Sequence, residues 1–397
     1  MAKLGDIIIQ IRGVSYSPQD LYDTLTENSI PLLRANNIQN GNIVLDDVVY
    51  VSKAKVSEKQ YLKSGDILIC TSSGSKELVG KAAFIENDMI VTFGAFCKVI
   101  RPVREYQKYI GYFFQSSYYK RKISELSAGA NINNIRNEHI ENLEIPLPKI
   151  EEQHRIAAIL DKVTDLINKR RAQLDKLDLL VKSRFVEMFG EPIANPMQWS
   201  VKPLKELSSL ITNGNTPKGG SRNYVDDGII FLRSQNVWRN QIILDDVAHI
   251  NEKTHKELQK SSLHNKDILI TKTGRINTEN SSLGRAALFL GKNDSANING
   301  HVYLVRLKDT IVPEYVVTIL TGEAYRKYIR KVSVGGIDKR QINIDQVENF
   351  PIILPPVDMQ NDFAVFRNHI FKVKEVVQRS LCKLEIMKKL LVQQYFV

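Results

Sequence analysis

The sequence predicts an α+β protein: two α/β globular domains joined by two long antiparallel helices that form an intramolecular coiled coil, in a pseudo-twofold internal repeat. Three observations predict this fold class. The two halves of the 397-residue chain carry matching motifs in the same order. Each half begins with short β-like runs separated by turn residues. Each half ends with a long stripe of apolar residues at heptad spacing, which is typical of a helix that packs against another helix.

The duplication is visible as matching segments whose separation along the chain stays nearly constant. Because their order is kept throughout, chance similarity does not explain them. The matching segments are LRANNI (33–38) and LRSQNV (232–237), LDDV (45–48) and LDDV (244–247), GDILI (65–69) and KDILI (266–270), GKAA (80–83) and GRAA (284–287), IEN (140–142) and VEN (347–349), and IPLP (145–148) and IILP (352–355).

The globular domains are predicted at residues 1–148 and 191–355. Short apolar runs bounded by turn formers, as in the two DILI segments, are typical of strands. Short helices are expected near residues 104–126 and 313–332, before a glycine-bearing turn and a strand bounded by proline. Each domain is therefore expected to form one curved sheet with helices packed on it.

The two helices are predicted at residues 149–190 and 356–397, and the helix from about Glu151 to Phe189 would be roughly 55–60 Å long at 1.5 Å per residue. Gly190 and Pro192 supply a stop signal for the first helix. So long an apolar seam needs a partner, and the matching helix of the other copy is the nearest one, although each seam could instead pack on its own globular domain. The seam residues are Ile156, Leu160, Val163, Ile167, Leu174, Leu177 and Val181 in the first copy, and Phe366, Ile370, Val373, Val377, Leu384, Met387 and Leu391 in the second.

Composition points to a cytoplasmic protein with an anionic partner. The formal net charge is +11 and the sequence pI is about 9.3. A basic balance favours nucleic acid, although many basic proteins bind none. No segment approaches the roughly 18 apolar residues of a membrane span, and the N-terminus lacks a signal-peptide core. The three cysteines are widely scattered, so neither a disulfide framework nor a zinc site is indicated.

The motifs of common catalytic sites are missing from the sequence. It contains no phosphate loop of the GxxxxGK[ST] type, no GxGxxG, no [DN]PP[FY] tetrapeptide and no HExxH. The acidic pairs 46–47 and 245–246 could suggest a metal, but aspartates between strands are more often turn formers. We therefore expect a chain that is not an enzyme and holds neither a metal nor a cofactor.

Three polar loop types recur at equivalent places in both copies, with different residues inside them. Arginine reads guanine, asparagine or glutamine reads adenine, and serine and threonine contact either. Any single loop could be an ordinary surface turn, but recurrence on a shared scaffold favours binding of two different sequences. The DNA-binding candidates are Arg34, Asn36, Asn37, Thr71, Ser72, Ser73, Lys76, Asn131, Asn133 and Asn134 in the first copy, and Arg233, Gln235, Asn236, Thr271, Lys272, Thr273, Arg275, Asn277, Lys339 and Arg340 in the second.

In these features the chain resembles the DNA specificity subunit of type I restriction-modification enzymes. The resemblance covers nearly the whole length. It rests on the duplication and on GDILIC…G (65–74) with KDILIT…G (266–274). It also rests on SAGA (127–130) with SVGG (333–336), and on IPLPKIEEQ (145–153) with IILPPVDMQ (352–360), each opening a long helix.

The resemblance implies a non-catalytic subunit of a restriction system. Each globular part would be a target recognition domain that reads one half of a bipartite, asymmetric site on double-stranded DNA. The helices would set the spacer between the half-sites and dock two methylation subunits, which bind S-adenosylmethionine. Restriction subunits using ATP and Mg²⁺ would join the DNA methylation complex. This places the chain in the prokaryotic cytoplasm, at the nucleoid, with no membrane partner.

Two other functions fit parts of the pattern. A coiled-coil protein-interaction scaffold without sequence-specific DNA binding would explain the helices, but it would not need loops rich in arginine and asparagine. A nuclease with an unfamiliar site would explain the charge, and metal-dependent cleavage by the purified chain would reveal it. The recurring loops favour sequence recognition over both.

Overall fold

The computed structural model describes residues 1–75, 77–103, 106–126, 133–278 and 280–396 of the chain. Its contacts divide the chain into two compact units. Unit 1 comprises Met1–Ala172 with Val377–Val397, and unit 2 comprises Gln173–Val376. Each unit therefore contains one globular domain and one segment of each long helix.

Two four-stranded sheets organise the domain of unit 1. The central sheet is antiparallel throughout, and the second sheet contains one parallel pair. The central strands, in spatial order, are Ala82–Phe84, Ile67–Cys70, Cys97–Pro102 and Ile8–Arg12; those of the second sheet are Thr92–Phe93, Ser29–Leu33, Val49–Ser52 and Leu21–Tyr22. Two-residue pairs join Ala2–Lys3 to Glu144–Ile145, Ser72–Ser73 to Asn133–Asn134, and Ile38–Gln39 to Asn42–Ile43.

The expectation of a single curved sheet was wrong, because the domain contains two four-stranded sheets, and the central one is covered on both faces. Alternate residues of Ile67–Cys70 belong to different cores: Ile67 and Ile69 pack with the helices, whereas Leu68 and Cys70 join a separate cluster on the other face. A strand buried on both faces is a continuous apolar run, and such a run does not reveal what covers its second face.

Unit 2 repeats this topology strand for strand. Its central sheet is Ser208–Asn213, Val302–Leu307, Ile268–Thr271 and Ala286–Leu288, and its second sheet is Tyr224–Val225, Ala248–Ile250, Ile229–Leu232 and Ala296–Ile298. Smaller pairings join Ser200–Pro203 to Pro351–Leu354, Val237–Trp238 to Gln241–Ile242, and Lys339–Gln341 to both Thr273–Arg275 and Val334–Gly335. The duplicated sequence thus specifies a duplicated sheet order.

The helices follow the same repeat. Two long ones, Ile150–Phe189 and Val357–Phe396, each contain 40 residues and are therefore about 60 Å long. Gly190, at φ 76°, follows the first of them in the left-handed conformation expected of a helix-ending glycine. The short helices are Gln107–Phe113, Ser117–Leu126 and Asn137–Glu141 in unit 1, and Leu204–Leu207, Glu252–Glu257, Pro313–Thr321, Glu323–Val332 and Ile344–Glu348 in unit 2.

Within unit 1 the two long helices contact each other in antiparallel orientation. Ile156 and Leu160, near the start of the first, share a core with Val392 and Phe396, near the end of the second. Further along, Arg171 forms a 2.6 Å ion pair with Glu385. In unit 2, Phe185 and Phe189 pack on Phe363, and Lys374 pairs with Asp178. These contacts agree with the predicted intramolecular helix pair.

One part of the predicted seam needs correction. Met387 is 40% exposed, while Leu381 and Val392 are buried on the same helix. The buried stripe therefore moves off the strict heptad positions after Val377. An α-helix has 3.6 residues per turn, so a 3.5-residue repeat drifts around a straight helix unless the helices supercoil.

Candidate nucleic-acid interface

Backbone hydrogen bonds bring the predicted loops of unit 1 together at one end of the central sheet. The Gly94 amide donates to the Leu33 carbonyl at 2.9 Å, next to the first loop. The Phe96 carbonyl accepts from the amides of Thr71 and Ser72, at 2.8 and 3.2 Å, in the second loop. That loop then pairs with Asn133–Asn134 of the third. We call this end of the sheet the loop edge, and residues 94–97 the hub turn.

The loop edge of unit 2 is built in the same way. The Asn299 amide donates to the Leu232 carbonyl at 3.0 Å, and the Lys272 amide donates to the His301 carbonyl at 2.9 Å. The second and third loops again pair as strands, here in a three-stranded sheet. Residues 299–302 form the hub turn of this unit. Loops predicted one by one are therefore parts of a single surface in each unit.

The first loop of unit 1 is tied together by one aspartate. Arg34 and Asn36 donate to the Asp47 carboxylate, at 3.2 and 2.8 Å. Asn37 is buried: its amide nitrogen donates to the carbonyls of Val44 and Asp47, and its oxygen accepts from the Arg34 amide. Asn37 thus holds the loop in shape, while Arg34 and Asn36 remain at the surface.

The first loop of unit 2 has an equivalent hydrogen-bond arrangement, in which Gln235 replaces Asn36. Arg233 lies 3.1 Å from the Asp246 carboxylate, and Gln235 donates to it at 2.6 Å. Asn236 is buried and donates to the carbonyls of Ile243 and Asp246, as its counterpart does in unit 1. The recurring LDD motif therefore supplies the aspartate that this loop is built on.

The second and third loops of unit 1 carry small polar side chains. Thr71 is buried, and its hydroxyl donates to the Phe96 carbonyl at 3.1 Å. Ser72 and Ser73 are half-buried in the short strand, and Asn134 is exposed beside them. Among the other candidates, Lys76 and Asn131 lie outside the described residues, as does the side chain of Asn133.

The second loop of unit 2 is more basic. Thr271 is buried, and its hydroxyl accepts from the Arg285 amide at 2.9 Å, so it holds the strand end. Lys272 lies with its ammonium 5.8 Å from the centre of the Tyr303 ring. Thr273 is half-buried, and Asn277 is exposed after it.

Charged side chains concentrate where this loop meets the third one. Arg275 is exposed and lies 3.3 Å from the Asp338 carboxylate. Lys339 is exposed on the neighbouring strand, and Arg340 donates to the Arg330 carbonyl at 3.3 Å. Ile337, at the tip of this hairpin, is 89% exposed. The hairpin thus presents both cations and an apolar side chain to solvent.

A buried arginine anchors the far side of the second loop in unit 2. Arg285 donates to the carbonyls of Ser281, at 3.1 Å, and Asn280, and its guanidinium stacks on Trp238 at 3.9 Å from the ring centre. Burial lowers the pKa of Arg285. A guanidinium nevertheless remains protonated at neutral pH, so it keeps donating to both carbonyls. These two hydrogen bonds hold the backbone of the loop at Asn280 and Ser281.

Sequence reasoning missed the outward residues of the hub turns. Phe96 and His301 are both exposed, at equivalent positions between the first and second loops. Lining up the two copies would have revealed an aromatic ring at the same place in each. Neither turn belongs to the three recurring polar loops from which the candidates were chosen, although the second turn begins with Asn299.

The recurring DILI motif is structural. Asp66 is buried and accepts two hydrogen bonds of 2.7 Å from Arg101, and Asp267 accepts bonds of 2.9 and 2.7 Å from Arg306. The hydrogen bond to Asp66 raises the pKa of Arg101. These carboxylates therefore join neighbouring strands within each central sheet.

Over the described ranges, no group of three or more histidine, cysteine, aspartate or glutamate residues could hold a metal ion. In the same part of the chain, no helix combines the length and apolarity needed to cross a membrane.

Comparisons with known proteins agree on one family. A family model described as the type I restriction modification DNA specificity domain matches residues 1–176 and again residues 196–367. The specificity subunit of type I restriction enzyme StySPI from Salmonella potsdam is 29% identical over 394 residues, spanning 96% of this chain and 83% of that protein. The EcoKI specificity subunit of Escherichia coli strain K12 is 29% identical over 393 residues, spanning 96% and 84%.

Solved structures share the fold at lower sequence identity. The type I restriction-modification S subunit from M. genitalium aligns over 100% of this chain and 95% of its own, with a TM-score of 0.57 and 13% identity. A chain from a study of complex assembly and conformational transition of the type I R-M system aligns over 99% and 96%, with a TM-score of 0.53 and 15% identity. The family model matches most of the chain, once in each copy, and the chain therefore belongs to the DNA specificity subunits of type I restriction-modification systems, the non-catalytic subunits of those enzymes.

Proposed function

We propose that each unit reads one half of a bipartite, asymmetric site on double-stranded DNA through its loop edge. One observation carries this proposal: the backbone hydrogen bonds that connect the first loop, the hub turn and the second loop recur in both units, while the side chains differ. Thr71 and Ser73 in unit 1 stand where unit 2 has Lys272 and Gly274, as the equivalent backbone pairings show. Because base edges are distinguished by their donors and acceptors, unlike side chains on like scaffolds favour unlike sequences.

The remaining parts of the complex follow from family membership. We propose that the long helices set the number of unread base pairs between the half-sites and dock two methylation subunits, which would bind S-adenosylmethionine. Restriction subunits using ATP and Mg²⁺ would join that complex. The net charge of +11 supports an affinity for DNA phosphates that weakens as salt concentration rises.

The test is selection from random DNA. The chain, co-expressed with the methylation subunits of its own restriction-modification system, is incubated with a randomised duplex library, and the retained duplexes are sequenced. The expected result is two short preferred sequences separated by a fixed number of unselected positions. Equal retention of all sequences would refute sequence-specific recognition.

Two arginines separate base reading from support of the loop. Arg275 is exposed and belongs to the part of the loop edge that differs between the units. Arg275→Ala is expected to cost about 1–3 kcal/mol for the preferred base at one position and to relax selection there. Arg34, by contrast, pairs with Asp47 in an arrangement that both units share. Arg34→Ala is therefore expected to weaken binding of all sequences alike. Relaxed selection at one position by Arg34→Ala, or an unchanged selection profile for Arg275→Ala, would contradict this division of roles.

A further inference from the structure

The hub turns are the central elements of the two loop edges. In each unit the turn follows a strand of the second sheet and leads into a strand of the central sheet. It is hydrogen-bonded to the residue that leads into the first loop on one side and to the start of the second loop on the other. A side chain that leaves the turn outward therefore lies between the two loops. Energetically important contacts cluster near the centre of an interface, so a side chain at this position is well placed to contribute to binding.

Both turns have the same backbone hydrogen bond. The Cys97 amide donates to the Gly94 carbonyl at 2.8 Å, and the Val302 amide donates to the Asn299 carbonyl at 3.0 Å. Each bond joins the first and fourth residues of a tight turn. The third residue is Phe96 in unit 1 and His301 in unit 2. The two rings therefore occupy the same place on the same backbone.

A neighbouring glycine holds each turn in close contact with the rest of the domain. A Cβ atom on Gly13 would lie 2.1 Å from the Gly94 carbonyl oxygen, and one on Gly214 would lie 2.1 Å from the Ile298 carbonyl oxygen. Only glycine permits so close an approach of two backbones. These close contacts, together with the Thr71 hydroxyl that donates to the Phe96 carbonyl and the Asn299 side chain that accepts from the His301 amide, fix the backbone of the turns.

Burial distinguishes the outward residue from its neighbours. Phe96 is 70% exposed, although both Gly94 and Cys97 are buried. His301 is likewise exposed, between half-buried Gly300 and buried Val302. The Phe96 ring is therefore free to contact a partner, and its place between the first and second loops, more than its exposure, favours a contact there.

We infer that Phe96 and His301 contact DNA bases and that each determines specificity at one position of its half-site. The inference rests on the proposed function and deepens it by naming the central residue of each loop edge. The partner is double-stranded DNA, because the rings lie between polar loops of a DNA specificity subunit and, in unit 2, beside Lys272.

The two rings differ in what they can recognise. The phenyl group of Phe96 has no hydrogen-bonding atom, so its base-specific contact in the major groove is apolar, and the thymine methyl group is the matching feature. The imidazole of His301 carries ring nitrogens that donate or accept hydrogen bonds, so it can read a polar base edge. The same turn thus selects an apolar feature in one unit and a polar one in the other.

The experiment compares selection profiles from random duplexes, using the full chain assembled with its methylation subunits. Phe96→Ala and His301→Ala are each expected to flatten the preference at one base pair of one half-site, by about tenfold for the favoured base. The other half-site should stay unchanged. Phe96→Leu, which keeps apolar bulk, should retain more of the thymine preference than Phe96→Ala.

Matched controls come from exposed apolar residues outside the loops and the hub turns. Ile90 is 80% exposed in unit 1 and Leu290 is 71% exposed in unit 2, both before the strand that leads into the hub turn. Ile90→Ala and Leu290→Ala should leave the selection profile as it is in the wild type. Circular dichroism melts of all variants verify that each one is folded.

Four outcomes would overturn the inference. An unchanged profile for both alanine variants would show that the hub rings do not read bases. A uniform loss of affinity for all sequences would indicate a phosphate contact instead. A profile altered equally by the Ile90 and Leu290 controls would indicate a non-specific effect of surface apolarity. Absence of any preference in the wild-type complex would refute the proposed function, and this inference with it.

Discussion

Single residues that recur in both copies support the loop edges from inside the domains. Asp66 and Asp267 are the main examples, each buried and held by two hydrogen bonds from an arginine on the neighbouring strand. The amide of Lys63 donates to Asp66, and the amide of His264 donates to Asp267, each at about the distance of an ordinary hydrogen bond. Each carboxylate therefore fixes both a strand pair and the turn before it.

Asp66→Ala is expected to lower the free energy of unfolding of unit 1 by about 3–5 kcal/mol, because it leaves the Arg101 guanidinium without its charged partner. Urea denaturation of the full chain measures the change. Exposed Asp23 serves as the control, and Asp23→Ala should change stability by less than about 0.5 kcal/mol. A loss of similar size in both variants would contradict a structural role for Asp66.

Individual residues also show which DNA-binding candidates could and could not be identified from the sequence. The choice of candidates relied on residue type, which does not distinguish an asparagine that reads a base from one that closes a loop. Asn37 and Asn236 recur, and both are buried. Arg275 and His301 do not recur as residue types, and both are exposed. Residues that recur in both copies therefore tend to be structural, and exposed residues that differ between the copies are the better candidates for contacts with bases.

At the scale of elements, one glutamine ties each long helix to its globular domain. Gln153 accepts a 3.2 Å hydrogen bond from the Tyr106 amide and donates to the Pro148 carbonyl at 3.0 Å. Gln360 makes the equivalent bonds with the Val312 amide, at 3.3 Å, and the Pro355 carbonyl, at 2.9 Å. These bonds explain why a glutamine stands at the start of both helices.

Gln153→Leu should leave the partly buried Tyr106 amide and Pro148 carbonyl without this partner, at up to about 1–3 kcal/mol for each group. We expect faster hydrogen–deuterium exchange in the first turns of the Ile150–Phe189 helix and in the Gln107–Phe113 helix. Gln394→Leu, at an exposed position of the other long helix, is the matched control. Equal exchange in both variants would mean that the glutamine does not couple the two elements.

The elements that sequence could not predict are the shortest ones. The strand pairs of the loop edge contain two or three residues each, and their partners lie far apart along the chain. Asn133–Asn134 pairs with Ser72–Ser73 through backbone groups, which leave no periodic pattern of apolar residues. The long helices, in contrast, were predictable because a stripe repeated over many turns accumulates a signal that two-residue strands never provide.

For the whole molecule, the proposed role of the helices as a spacer predicts the effect of lengthening them. The units divide the helices after Ala172 and after Val376. One heptad inserted at both places adds about 10 Å, or about three base pairs, and nearly keeps the packing face. The selected half-sites should stay the same, with a longer gap between them.

The control is the same insertion in the first helix alone, which leaves the second helix without matching residues and should impair assembly or selection. The randomised duplex library measures the gap in each case. An unchanged gap with both insertions present would reject the spacer role and leave half-site reading by the loop edges untouched.

The way unit 1 is completed has a consequence for protein synthesis. Its core includes Val392 and Phe396, and the Phe396 ring packs against Tyr109 and Phe113 from the early part of the chain. A ribosome delivers these late residues only after all of unit 2 has emerged. The globular domain of unit 1 is synthesised first, and its apolar surface around Tyr109 and Phe113 stays exposed until the C-terminal segment has been synthesised. Any pause or premature stop in translation between the two leaves a product that chaperones and proteases can recognise.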